Sequence, residues 1–222
     1  MNFPYELHRI RGTEALARFR DLRSAAQGVP VILGSQEKFD RLVACMARNS
    51  NKTTDELIAA AIAIDPVQWF RARAAEDMEY YEVAPGPWPD GEDSPNRALW
   101  AHRDSRTQEP YPEVLISVIP APEPWMVPCF LRIGNWNSVP RAEEHASLFK
   151  YWLEQYGAVV ASVADDVIEM TVDRPPTNRE DALSLARQHH VYCPDIVHQN
   201  LGSIEALAAG LLNGKTWFFW WD

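Results

Sequence analysis

Cysteine is scarce in this 222-residue chain, which has only Cys45, Cys129 and Cys193. Three scattered thiols are too few for a disulfide framework. They suit a reducing compartment, so a cytoplasmic protein is expected. No apolar run approaches the roughly 20 residues of a membrane span. The opening MNFPYELHRIRG has no apolar signal core, so nothing in it suggests export. Positive charge is short as well. There are 21 Lys and Arg against 31 Asp and Glu, a net charge of −10. That deficit argues against nucleic acid, whose phosphates need Lys and Arg to displace their counterions. It argues equally against anionic lipid. Neither a Gly-x-Gly-x-x-Gly loop nor a Walker motif occurs. Gly214-Lys215-Thr216 lacks the upstream glycine of a Walker motif and precedes a strand-like run. A Gly-x-Ser-x-Gly elbow is missing too. Nucleotide chemistry and serine hydrolysis therefore have no motif behind them, and no cofactor is expected.

The rest of the composition is globular, with 46% apolar and 23% charged residues. A chain of this length buries roughly 70% of its extended surface, enough for a sizeable core. Nine Trp is the unusual count. Trp217, Trp220 and Trp221 read as core strand, and Trp152 and Trp69 as helix packing. Trp88, Trp100, Trp125 and Trp136 fall in loops or at junctions and are candidates for contact with a ligand or partner.

Three stretches differ in character. Residues 1–83 read as mainly helical with one strand. An amphipathic helix is predicted over 13–26, with Leu16, Phe19, Leu22 and Ala26 on one face. Five Arg against two acids over residues 9–23 make a basic stripe, read as a solvated helix face. Val29–Gly34 reads as a buried strand, followed by a helix over 36–48. Thr53 with Glu56 makes a capping box for a helix over 54–64. Pro66 starts another, since proline suits a first helical turn.

Residues 84–127 read as a Pro-rich acidic connection. Ten of the 17 prolines lie between Ala84 and Pro128, which excludes long helices there. Glu113–Ile119 reads as its one strand.

Residues 128–222 read as an α+β domain, and the C-terminal half, counted from the Glu113–Ile119 strand, has the order β-β-α-β-β-α-α-β: a mixed sheet with helices packed on it. Its second strand is predicted at Val127–Ile133. A helix over 140–156 ends at Gly157, and a hairpin turns at Ala164-Asp165-Asp166. Thr177 and Glu180 suggest a capping box for a helix over 178–192, and another helix spans 203–213. Trp217–Trp221 reads as a strand buried on both faces.

Several motifs stand out: Gly134-Asn135-Trp136-Asn137, Tyr151-Trp152 through Tyr156-Gly157-Ala158, Arg174-Pro175-Pro176, Tyr192-Cys193-Pro194-Asp195 and the closing Trp217-Phe218-Phe219-Trp220-Trp221-Asp222. Together they resemble the bacterial family called domain of unknown function 4253. The resemblance implies a fold and no established chemistry.

Four groups of residues carry functional expectations. His189 and Cys193, four apart, share a helix face and are zinc-ligand types, with His198 or Cys129 available to join them. Their structural alternative is helix capping and packing. Cys193 is also a candidate nucleophile with a nearby His as base and Asp195 as orienter, Pro194 placing Asp195 and His198 in a loop. Asp165, Asp166 and Glu169 are hard-oxygen candidates for a cation, although an acidic turn with Glu169 facing outward accounts for them. Asn135, Trp136 and Asn137 are ligand-binding candidates that equally suit local backbone capping.

Missing chemistry and acidic charge favour a protein-binding module, such as a toxin-neutralising immunity-type protein. Its basic partner would meet Glu79, Glu82, Trp88, Asp90, Glu92 and Asp93. The alternative is a small-molecule enzyme or metal-binding protein built around Cys193, Asp195 and His198.

Overall fold

The computed structural model describes residues 3–25, 27–76, 82–83, 85–89 and 98–222. Six strands form one sheet: β1 (Leu7–Ile10), β2 (Val29–Gly34), β3 (Val114–Ile119), β4 (Ala158–Val163), β5 (Val167–Val172) and β6 (Thr216–Trp220). Their order is β1-β3-β2-β4-β5-β6. β2 and β4 run parallel, with Ile32 opposite Ser162, and the other neighbours are antiparallel. The fold is α+β with a mixed sheet, as the element order predicts.

The helices are α1 (Ala15–Ala25), α2 (Gln36–Arg48), α3 (Thr54–Ala63), α4 (Pro66–Glu76), α5 (Val127–Leu131), α6 (Ala142–Tyr156), α7 (Arg179–Tyr192) and α8 (Ile204–Leu211). Local chemistry fixes many of their ends. Thr53 and Glu56 form the expected reciprocal capping box on α3. Gly157 ends α6 in the left-handed region at φ 63°.

One face of the sheet carries the main core. Val31, Leu33, Leu115, Val160, Ile168, Met170, Trp217 and Phe219 join buried residues of α2, α3, α6, α7 and α8. The other face is covered by α1. There Ala15, Phe19 and Leu22 meet Ile32, Val114, Ile116 and Ala161, together with Leu99 and Ala101.

The structure differs from the sequence reading at five places. Residues 127–131 form helix α5 rather than a strand. Pro128 has no N–H for a sheet ladder, but it fits a first helical turn, and Pro124 opens the 3-10 turn before it. β1 was not anticipated: its four residues, of which Arg9 is exposed and the rest half-buried, owe their conformation to pairing with β3. The cap of α7 is Asn178, which accepts from the Asp181 N–H, in place of Thr177. β6 buries Trp217, Phe219 and Trp221, while Phe218 and Trp220 are half-exposed on the other side. It is an edge strand, and Trp217 and Phe219, with Trp221 just beyond, are the side chains it sends into the main core. Glu169 faces inward and is 3% exposed. Its carboxylate accepts from the backbone N–H groups of Trp100 and Ala101, at 2.5 and 2.9 Å. Burial raises its pKa against the pull of those hydrogen bonds. Ala26, expected on the α1 face, lies outside the described residues.

Candidate functional site

Three separated motifs converge where the chain closes. β6 delivers Trp220 and Trp221 to the end of α7, where Cys193 and Asp195 wait. The Cys193 thiol donates to the Trp220 carbonyl at 3.0 Å. Asp195 accepts from the Asp222 N–H at 3.1 Å and from the Gln199 amide at 3.0 Å. Asn137 donates to the Asp222 carbonyl at 3.2 Å. Asn137, Cys193 and Asp195 thus meet, but as a clasp on the closing strand. Burial pushes the Cys193 thiol well above its ordinary pKa, so it stays protonated and a poor nucleophile. His198 is exposed on the π-helical turn Ile196–Leu201, its ring 5.0 Å from that of His190.

The turn at 134–137 is held just as firmly. Gly134 has φ 82°, and a Cβ there would stand 1.9 Å from the Pro140 carbonyl oxygen and 2.8 Å from His145 Nε2. Asn135 and Asn137 also take left-handed backbone, at φ 64° and 44°. Asn49, at the end of α2, donates to the carbonyls of Arg132 and Gly134, both at 2.9 Å. Asn135 returns a hydrogen bond to the Asn49 side-chain oxygen at 3.0 Å. Trp136 is half-buried and packs against the main core.

Behind this junction lies a cluster of rings. Trp152 stacks on Phe219 at 5.7 Å and meets Tyr192 edge-on at 5.1 Å. His189 sits 4.5 Å from the Trp217 ring and 4.7 Å from the Phe219 ring. His145 Nδ1 shares a 2.6 Å hydrogen bond with the Tyr192 hydroxyl. Burial lowers both histidines to about 3. They are neutral at physiological pH, and His189 is packed among apolar rings. Among the described residues, no group of three or more His, Cys, Asp and Glu side chains is placed to hold a metal ion.

Sequence reasoning missed two surface features. The first is a cleft of about 280 Å³ lined by Asn49, Asn51, Lys52, Leu57, Asn135, Arg141, Ala142 and Glu143. Glu143 is nearly buried at its floor and pairs with Lys52 at 2.8 Å. Beside it Glu144 binds the Arg141 guanidinium at 3.1 Å and the Trp69 indole at 3.1 Å. Burial opposes ionisation of Glu144, but these hydrogen bonds outweigh it and lower its pKa. Asn135 is the one expected ligand-binding residue that reaches this cleft.

The second feature is the corner between α3 and α4. Among the described residues, Ile62 and Val67 are the exposed large hydrophobic side chains, at 60% and 44%. A groove of about 140 Å³ lies there, lined by Ala61, Ile62, Ile64, Pro66, Ser147, Lys150, Tyr151 and Glu154. No local signal marked it: Ile62 falls four residues after half-buried Ile58 and so continues the inner stripe of Leu57, Ile58 and Ala61.

The remaining candidates are dispersed. Trp125 is buried at 3% exposure, which removes it from the contact candidates. Trp88 is half-buried under the Arg179 guanidinium, 4.5 Å from its ring. Trp100 is half-buried, and Glu82 is exposed. Glu79, Asp90, Glu92 and Asp93 lie outside the described residues. Asp165 faces Arg41 at 3.7 Å, and burial, with Asp166 beside it, raises its pKa. Cys129 is buried, its thiol pushed up to about 12.

The fold and this junction define an α+β protein whose edge strand is clasped by a Cys-Pro-Asp step and an Asn-Trp-Asn turn. Residues 115–222 match the family model described as Domain of unknown function (DUF4253). No curated protein and no solved structure matches the chain.

Proposed function

We propose that this protein acts by docking onto a basic partner protein, in the manner of a toxin-neutralising immunity-type protein, and works in a reducing compartment such as the cytoplasm. The observation that carries this reading is the use made of the reactive side chains. Cys193, Asp195 and Asn137 are all engaged in holding the closing strand. A buried, protonated thiol bonded to a carbonyl is poorly suited to attack a substrate. The net charge of −10 supports a basic partner, because complementary charge speeds encounter and improves specificity. Three free, buried cysteines support a reducing compartment.

The test is co-purification with the products of neighbouring genes. A basic neighbour should bind, with affinity falling as salt rises from about 50 to 500 mM. A Cys193→Ala variant that still folds should bind equally. Loss of every phenotype in that variant, with no neighbour bound, would overturn the reading.

A further inference from the structure

We infer that the α3–α4 corner is the docking surface, and that its occupant is a basic amphipathic segment of the partner protein. This rests on the partner-binding reading above and gives it a place and a chemistry.

The apolar side chains come first. Ile62 lines the groove together with Ala61, Ile64 and Tyr151, and Val67 follows next to the lining residue Pro66, five residues after Ile62. Exposed branched residues gathered at one spot mark an interaction site more than scattered ones do. The groove's 140 Å³ is below the roughly 300 Å³ at which small-molecule pockets begin. It suits one apolar side chain inserted from a larger partner.

Charge then selects the partner. Asp65 lies between Ile64 and Pro66 and is exposed. Its Oδ1 caps the Val67 and Gln68 N–H groups, which fixes the carboxylate at the corner. Glu154 lines the groove, and exposed Asp55 lies on the Ile62 face of α3, seven residues earlier. The cation at the groove, Lys150, is held 3.6 Å from Glu154 and lies 5.9 Å from the Trp125 ring. Arg71 is exposed one turn further along α4. The carboxylates outnumber the cations, and the whole chain carries −10. A second copy would bring the same charge and be repelled. A segment with an apolar face flanked by Lys or Arg meets both requirements, in the helix-in-groove mode.

The probe is a labelled helical peptide of about 18 residues, five turns, with Leu on one face and Lys beside it. Its binding to the full chain is read by fluorescence polarisation at about 50 mM salt. A second peptide carries Glu in place of every Lys. The Leu/Lys peptide should bind, and the Leu/Glu peptide at least about tenfold more weakly. Ile62→Asp with Val67→Asp should weaken the Leu/Lys peptide at least about tenfold. Ile62→Ser with Val67→Ser should weaken it too, with an unchanged circular dichroism spectrum, so that neither misfolding nor added charge explains the loss. Unchanged binding in both double variants would overturn the surface, and equal binding of the two peptides would overturn the partner chemistry. Light scattering that finds a dimer broken by these variants would make a second copy the occupant and overturn the inference. Co-purification of a basic neighbour with the double variants intact would sink the surface while leaving partner binding standing. Failure of any neighbour to bind wild-type protein would sink the broader reading.

Discussion

Two regions of this molecule treat apolar side chains in opposite ways. At the junction of β6, α6 and α7, rings are sealed inside: Trp152, Trp217, Tyr192 and Phe219 are each at most 1% exposed. At the α3–α4 corner, Ile62 and Val67 stand in solvent beside a groove. The junction lies within the family-matched residues 115–222; at the corner Ile62 and Val67 lie outside them, although α6 supplies Ser147, Lys150, Tyr151 and Glu154 to the groove from within. The difference separates two jobs. The motifs that look most functional in the sequence build the scaffold. The exposed apolar side chains of the proposed docking surface, Ile62 and Val67, sit upstream of them on α3 and α4.

The comparison breaks first under truncation of the ring cluster. Trp152→Ala removes the ring shared by Phe149, Tyr192, Trp217 and Phe219 and should cost about 4 kcal/mol. For a chain of this size that lowers Tm by about 8–16 °C, read by differential scanning calorimetry. A drop of only a degree or two would mean that the cluster is not the scaffold's centre. Gly134→Ala should follow, at about 2–3 kcal/mol, because its Cβ has no room against Pro140 and the backbone is left-handed. Equilibrium urea unfolding measures this loss, and a neutral result would show that the turn yields.

Acid sharpens the same contrast. His145 and His189 are held neutral, with folded pKa values near 3 against roughly 6.5 unfolded. As pH falls below about 6.5 the unfolded chain takes up these protons and the folded chain does not. Stability therefore falls with pH, by about 1.4 kcal/mol per unit for each histidine, down to about pH 3. His189→Leu should remove one histidine's share of that slope in urea titrations run from pH 7 to about 5. An unchanged slope would show that His189 already titrates in the folded state. At the corner, by contrast, Ile62→Ser or Val67→Ser should move stability by no more than about 0.5 kcal/mol, since both side chains are largely solvated.

Much of the fold is legible in the chain because short-range chemistry decides it. Thr53 and Glu56 announce α3, Gly157 ends α6, and the aromatic run at 217–221 announces β6. What escapes reading depends on distant partners. β1 becomes a strand because β3 offers an edge. Val127–Leu131 is as apolar as a strand, and only Pro128, with Pro124 in the turn before it, favours helix α5. Glu169 looks solvent-facing by alternation, yet the backbone of Trp100 and Ala101 covers it. The candidate site was legible in its members but not in their use. Asn137, Cys193 and Asp195 do come together, but nothing local reveals that they grip Asp222 and Trp220. Ile62 was silent because an apolar residue on a helix reads as core until the fold shows which side is outside.

The division between scaffold and recognition surface is most directly tested by one nuclear magnetic resonance titration with a bound partner, or with the Leu/Lys peptide. The methyl signals of Ile62 and Val67 should shift, while the indole N–H signals of Trp217 and Trp221 stay in place. Shifts at Trp221 and Trp136 with Ile62 and Val67 unmoved would place recognition at the junction and contradict the account.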